Sequence, residues 1–412
     1  MIRPAFLLTA LLALANPAAG QMSGSAATPA LSAVAVQALP ARAFLAPATA
    51  PAVQAALNAA PAGTPAPLTA AVPREVAAQV LTLIRERRPS PPRAARLLAL
   101  TLIAVNDTER AAQGSRRAVN TDLAARIAAG GVLAGLYAGA PVSVRDALHA
   151  GTPASRLGEA VAAQVLAWAA HDDADRPVPP TPGTGAGAGL WAPLTGQNPL
   201  EPGWGQVKPI GLTAQTLPRV APPPAWNSAE FAADRQAFQA TQRTLTPADV
   251  ALGAYWAAGP GTVTPAGMWM EAALSLGARH ALSGADTARL LATTATAEHD
   301  AFITCWEAKF RFNVARPQAW LAEQFPGWTP DIATPPFPSY PSGHATVSGA
   351  AATVLAAAFP QDAARLRADA QAAAHSRVVG GIHWTLDGVS GLDAGQRVAQ
   401  ALLGGGESGG AQ

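Results

Sequence analysis

Between about Pro73 and Ala174, apolar residues recur every three or four positions in four stretches, VAAQVLTLIRERR, AARLLALTLIAV, LAARIAAGGVLAGLYAG and GEAVAAQVLAWAAH. That interval places the apolar side chains on one face of an α-helix. Pro and Gly between the stretches mark where each helix stops, so residues 73–175 read as a first helical bundle. The period is lost over residues 176–225, which contain PVPPTPGTGAGAG and PPPAW. A segment of this length without a period is unusual as a plain connection and suits a loop that wraps a surface or covers a site. Helical spacing returns after Asn227 in FAADRQAFQATQR, VALGAYWAAG and the long ADTARLLATTATAEHDAFITCWEAKFRFNVA, and continues nearly to Leu403. Residues 226–404 therefore read as a second helical bundle. No stretch alternates apolar and polar residues with the period of two that a half-buried strand requires, and the expected class is all-α.

The two bundles echo each other. AARLLALTLIAVND, ending at Asp107, resembles TARLLATTATAEHD, ending at Asp300, at many small and apolar positions, which implies a doubled helical architecture. The ends of the chain follow other rules. Residues 1–20, MIRPAFLLTALLALANPAAG, join an early Arg3 to an apolar core from Ala5 to about Ala15 and to the small residues Ala18 and Gly20. This is the form of a secretory signal peptide and points to an exported protein, periplasmic or extracellular. Residues 21–72 are rich in Ala, Pro and Thr without clear periodicity, and little order is expected there. Residues 405–412 read as a flexible tail. Later apolar segments are interrupted before they reach the ~20 residues of a bilayer span.

Composition narrows the choice of chemistry. Of 412 residues half are apolar, and the formal net charge is only +2. No basic run interleaved with aromatics follows the pattern of a nucleic-acid-binding surface. The single cysteine, Cys305, excludes an intramolecular disulfide and a thiolate zinc site, and its neighbours mark it as buried filler.

Three segments of the second bundle carry the candidate chemistry. The long helix ends in KFRFNVARP, with Lys309 and Arg316 seven residues apart. Two turns of helix return both side chains to nearly one face about 10 Å apart along the axis, and Pro317 disfavours continuation beyond Arg316. Next, PPFPSYPSGHATVSGAAATVLAAAF brings Ser342, Gly343 and His344 to the start of an Ala-rich helix. Unpaired N–H groups and the positive dipole end make such a start an anion site, and His344 is placed to exchange a proton with a group bound there. Third, HSRVVGGIHWTLDGVSG carries Arg377, suited to gripping an oxyanion, then His383 and Asp387 one helical turn apart. The carboxylate can hold one ring nitrogen and leave the other as a nucleophile or metal ligand. Gly380 and Gly381 allow a bend between Arg377 and His383, and His375 reads as structural or exposed.

Taken together, Lys309 to Arg316-Pro317, Pro341 to His344, and Ser376-Arg377 to His383 and Asp387 resemble the tripartite signature of one superfamily. It joins type 2 phosphatidic acid phosphatases, bacterial non-specific acid phosphatases and vanadium-dependent haloperoxidases. The resemblance is close from about Asp300 to Gly391. The first half and the GLWAP and PGWGQVKP stretches are similar, more loosely, to secreted bacterial members of the haloperoxidase branch. It implies a doubled all-α bundle in which Lys309, Arg316 and Arg377 neutralise the equatorial oxygens of a bound oxyanion, assisted by Ser342 and the Gly343 N–H. His344 is then the acid–base residue. His383 is the axial group, oriented by Asp387: a vanadate ligand in a haloperoxidase, or the nucleophile that becomes phosphohistidine in a phosphatase.

Three functions stay open on the resemblance: a vanadate-dependent haloperoxidase taking hydrogen peroxide and halide, a soluble acid phosphatase taking a phosphate ester, or a silent oxyanion-binding relative. Trp306 and Phe337 resemble the apolar halide-side wall of fungal chloroperoxidases, and length, doubling and wrapping loop favour the haloperoxidase. One departure stands out. Many haloperoxidase-like relatives carry near the position of Ala258 an Asp that pairs with the third-motif Arg, whereas no acid occurs here between Asp249 and Glu271.

Overall fold

A computed structural model describes residues 36–137, 150–178 and 189–404. The segment 1–20, whose sequence has the form of a signal peptide, the expected tail 405–412 and part of the Pro/Gly stretch lie outside the described residues. Among the described residues there are thirteen α-helices and no β-strand beyond isolated bridges, as the hydrophobic pattern predicts. None of the described helices is long and apolar enough to cross a membrane.

Two long helices form the spine: α3 (Pro91–Gly114) and α9 (Gly284–Phe312), packed against each other. Each begins on a serine whose side chain accepts the backbone N–H three residues on, Ser90 from Arg93 and Ser283 from Asp286, so each start is fixed by a side-chain cap. Both are buried on nearly every side, which an Ala- and Leu-rich helix tolerates because small side chains allow neighbours on all faces. Around α3 pack α2 (Ala71–Arg87), α4 (Thr121–Leu136) and α5 (Pro153–Ala169). Around α9 pack α8 (Thr264–Arg279), α11 (Gly343–Ala358) and α13 (Thr385–Gly404).

The doubling implied by the sequence echo is realised in register. Helices α2 and α8, and likewise α3 and α9, begin 193 residues apart (264 − 71 and 284 − 91), and Asp107 and Asp300 are separated by the same 193 (300 − 107). The two aspartates do the same work. Asp107 accepts the backbone N–H groups of Phe44, Leu45 and Ala46 at 2.7–2.9 Å; Asp300 accepts those of Ile210, Gly211 and Leu212 at 2.8–3.0 Å. Each spine helix thus holds an irregular segment against its bundle through three consecutive amides. Burial pushes both carboxyls upward, Asp300 to about 7, and the amides oppose that shift.

This clip corrects the expectation of a disordered lead-in across 21–72. From Val36 onward the chain is structured, with Val36, Leu39, Ala46 and Val53 in the core and a short helix, α1 (Pro51–Asn58). Its order comes from a carboxylate sixty residues away, which no local period records. The described parts of the Pro/Gly stretch are irregular as expected, with one 3₁₀ turn at Trp204–Gln206. They run beside the second bundle, where Leu190 bridges Val314 and Asp300 holds residues 210–212. Outside α9 and α13, α6 (Ala229–Arg243) contributes Phe231 and Phe238 to a separate apolar cluster with Trp384, Tyr340 and Val314.

Replacing Asp107 or Asp300 with Ala leaves three amides without their acceptor, at about 1–3 kcal/mol each where burial persists. Either variant is expected to lose at least about 3 kcal/mol of stability, read as a lower urea midpoint. A loss within about 0.5 kcal/mol would show that water replaces the clip.

Candidate functional site

The C-terminal end of α9, the N-terminal end of α11 and the turn before α13 meet at one end of the second bundle. Lys309, Arg316, Ser342, Arg377, His383 and Asp387 are all buried there, while His344 is half-buried. Lys309, Arg316, Arg377 and His344 each lie close enough to His383 to act on its charge. The three sequence segments therefore share one cage.

Arg316 reaches the cage by a different route from the one its spacing suggests. Helix α9 ends at Phe312 because Asn313 takes a left-handed conformation, φ 51°, and Arg316 follows on extended backbone just before α10 (Pro317–Gln324). Asn313 and Trp191 exchange main-chain and side-chain hydrogen bonds, and the Ala315 N–H donates to the Gly189 carbonyl. The wrapping segment thus straightens the chain that delivers Arg316. Its Nε donates to Phe337 O at 2.9 Å, and Nη1 donates to Ile382 O at 2.7 Å and to His383 Nε2 at 3.0 Å.

That last contact settles the tautomer of His383. A guanidinium can only donate, so Nε2 is the acceptor nitrogen and Nδ1 carries the proton, which it gives to Asp387 Oδ2 at 2.8 Å. The lone pair of the ring is therefore on Nε2, where it accepts the Arg316 N–H. Burial, with Arg316, Lys309, Arg377 and His344 nearby, holds the His383 pKa well below the usual imidazole range, while burial pushes the Asp387 carboxyl up against the pull of Ser339, Lys309 and Arg316. The Trp384 N–H also donates to Asp387 Oδ2, and the Trp384 indole donates to Ala315 O. Gly381, at φ 81°, makes the bend between Arg377 and His383, as expected of that glycine pair.

Lys309 points into the cage, but its ammonium donates to the carbonyls of Pro338, Ser339 and Pro341 at 2.8, 2.9 and 2.6 Å. Its three donors are matched by those three acceptors, and burial draws its pKa down. Arg377 donates through Nη1 to Trp256 O at 2.7 Å; no carboxylate among the described residues pairs with it, in keeping with the missing acid. Ala258 is buried at φ 44°, and the carbonyls of Trp256 and Ala257 favour the charged form of His344. Burial and Arg377 outweigh them and hold the His344 pKa well below its ordinary value.

Ser342 caps α11, its Oγ accepting the Ala345 N–H, which leaves the N–H groups of Gly343 and His344 without helical partners. A Cβ on Gly343 would sit 3.3 Å from Trp306 Cζ3, so the glycine lets Trp306 close on the helix start. Trp306 and Phe337 touch at 4.9 Å between ring centroids, and the Lys309 and Arg316 head groups lie 5.0 and 4.9 Å from the Phe337 ring centre. Both aromatics therefore lie beside the cationic head groups. The Trp306 indole is held by Leu200 O at 3.2 Å, and the Leu200 N–H donates to Pro336 O. His375 is exposed and Cys305 is buried beside Pro341.

Two contributors escaped the sequence reading. Ser339 donates to Asp387 Oδ2 at 2.5 Å, and Leu200 steadies the aromatic wall through its backbone. Neither carries a local signal, since Ser339 and Asp387 are 48 residues apart and a main-chain contact depends on no side-chain type.

Four buried polar atoms of the cage have no protein partner: Arg316 Nη2, Arg377 Nε, His344 Nε2 and Asp387 Oδ1. Three cations set against one carboxylate, with free donors and an open helix start, fit a compact tetrahedral oxyanion such as vanadate or phosphate.

Residues 289–372 match the family described as the VCPO second helical-bundle domain, a span that includes the first two motifs and ends before Arg377. No curated protein matches the chain. Among solved structures it is similar to the first bacterial vanadium-dependent iodoperoxidase, with 24% identity and a TM-score of 0.73 over 83% of this chain and 98% of that one. It is also similar to a bacterial vanadium-dependent chloroperoxidase in apo form, with 13% identity and a TM-score of 0.61 over 78% and 96% of the two chains. The holo form gives 14% identity and a TM-score of 0.61 over 81% and 92%. The fold is that of the vanadium haloperoxidases.

Because His383 and His344 resist protonation in the native state, each withholds a proton that the unfolded chain accepts near pH 6.5. Their effect on stability is nil above that pH and becomes destabilising as pH falls below it. Both rings are expected to remain neutral at pH 5.5 in imidazole ¹⁵N spectra. A protonation midpoint at or above pH 6 for either would contradict the geometry.

Proposed function

We propose that the protein is a vanadate-dependent haloperoxidase-like enzyme that oxidises halide with hydrogen peroxide. The observation that carries this reading is the His383 Nε2 lone pair, held by Asp387 inside a buried cationic cage on the vanadium haloperoxidase fold. Vanadate fits the residues present, because the orphaned Arg316 Nη2 and Arg377 Nε are donors seeking an anion and His383 offers an axial nitrogen. Bound there, it would supply a Lewis-acid centre for activating peroxide towards halide.

The protein's own residues divide the work. His383 Nε2 would hold the oxyanion in place of the Arg316 N–H that it accepts, and Asp387 keeps the proton on Nδ1. Arg316 and Arg377 would balance the charge of the oxyanion, and Ser342 and the Gly343 N–H would add hydrogen bonds to it. Lys309 adds positive potential from the same cage, although its N–H groups are directed at carbonyls, so its charge rather than a hydrogen bond is the principal contribution. His344, the most exposed member, has its pKa held below the ordinary imidazole value and is neutral at pH 7, which suits its unpartnered Nε2 to take up and release a proton. Trp306 and Phe337 exclude water on the side a soft halide approaches. The same oxyanion cage serves phosphoryl transfer when the axial histidine acts as nucleophile, because a trigonal-bipyramidal vanadate resembles that transition state.

The likeness to an iodoperoxidase makes iodide the first halide to test, followed by bromide. Purified protein given orthovanadate, peroxide and iodide or bromide is expected to halogenate a phenol dye, and His383→Ala is expected to bring the rate to background. A parallel assay with p-nitrophenyl phosphate completes the test. Ester cleavage without halogenation would replace this reading with a phosphatase.

A further inference from the structure

Ser339 sits in the turn between Phe337 and Ser342 and is fully buried. Its main chain is committed on both sides. The N–H donates to Val314 O at 2.9 Å, and the carbonyl accepts from Lys309 Nζ at 2.9 Å. With the backbone pinned, the hydroxyl is directed at Asp387 Oδ2, 2.5 Å away, and lies 3.4 Å from His383 Nδ1. Asp387 Oδ2 thus receives three donors: Ser339 Oγ, the Trp384 N–H at 3.1 Å and His383 Nδ1 at 2.8 Å. Oδ1 of the same carboxylate receives none.

We infer that Ser339 is a positioning residue for His383: its hydroxyl, set by the Lys309 clamp, locks the Asp387 carboxylate so that the imidazole presents Nε2, and not an N–H, to the bound oxyanion. The inference rests on the reading of the cage as an oxyanion site with His383 as axial ligand. Its physical basis is rotational. Without the hydroxyl, only the Trp384 N–H and the imidazole hold the carboxylate against a turn toward Arg316 or Lys309, whereas the third donor, from a third direction, adds a contact that any turn must break. If the carboxylate turns, the ring can move its proton to Nε2. That tautomer sets an N–H against Arg316 Nη1, which is also a donor, and has no lone pair for a ligand. The three carbonyl contacts of Lys309 belong to the same device, because they hold the 338–341 turn that aims the hydroxyl.

The test uses the full chain labelled with ¹⁵N-histidine, without peroxide or halide. In the wild type the His383 resonances, identified by their loss in His383→Gln, are expected to show a proton on Nδ1 and a bare Nε2. Ser339→Ala is expected to populate the other tautomer and to weaken orthovanadate binding, measured by titration calorimetry, on the order of tenfold. Ser339→Thr, which keeps the hydroxyl, is expected to return both readouts toward wild type. An alanine variant that lowers thermal stability yet keeps the wild-type tautomer and binds orthovanadate within about twofold overturns the inference, since a merely structural serine would do that. If alanine does not fold, Ser339→Val, which matches the threonine variant in shape but has no side-chain donor, decides: a shifted tautomer supports the role and an unshifted one overturns it. If wild type binds neither orthovanadate nor inorganic phosphate, the oxyanion reading fails by itself, and the tautomer comparison still decides what Ser339 does.

Discussion

Burying three cations and a carboxylate in an Ala-rich helical core is unfavourable unless each charge meets a partner, and that constraint organises the end of the second bundle where they gather. Lys309 is met by the carbonyls of Pro338, Ser339 and Pro341, Arg316 by those of Phe337 and Ile382, and Arg377 by that of Trp256. Regular helices have few carbonyls to spare. The proline-rich turn 335–341 cannot be helical, so its carbonyls are free to face inward and solvate the charges that helices deliver. Carbonyl oxygens satisfy hydrogen bonds without cancelling the net positive charge, so the cage keeps its attraction for an anion. A carboxylate at each cation would have been electrostatically easier and chemically useless.

The rest of the fold serves to bring that turn, the end of α9 and the start of α11 together. The doubled spine explains how. Asp107 and Asp300 clip irregular segments onto equivalent places in the two halves, but only the second half carries the cage. The position equivalent to Lys309 in the first half is Arg116 (309 − 193), which is exposed. The segment clipped by Asp300 continues from the strap that pairs with residues 313–315 and that holds Trp306 through Leu200. One architectural device therefore acts as plain bracing in the first bundle and, in the second, also positions Arg316 and the aromatic wall.

The asymmetry between His344 and His383 follows from their supports. His383 is fixed on one nitrogen by a carboxylate that is itself held by Ser339 and Trp384, and on the other by Arg316. His344 sits at an open helix start with a free, buried Nε2 and more exposure than its neighbours. A rigid ring suits a ligand or nucleophile and a less restrained one suits proton traffic, so the two roles are separated by packing as much as by position in the motifs.

Periodicity and capping chemistry determined the helical class, the two-bundle order and most of the helices, because apolar spacing and Ser/Pro starts are local properties of the chain. Residue type and order within three short segments also singled out the side chains that gather in one cage, Lys309, Arg316, Arg377 and His383 among them. Only the tertiary structure decided the order of residues 36–72, which depends on a distant carboxylate, and the extended approach of Arg316, which depends on Asn313 and its contacts with the strap. It alone decided that the Lys309 ammonium faces carbonyls and that Ser339 completes the Asp387–His383 pair. These are contacts between groups far apart in sequence, many of them to backbone atoms, and a side-chain pattern carries no record of such partners.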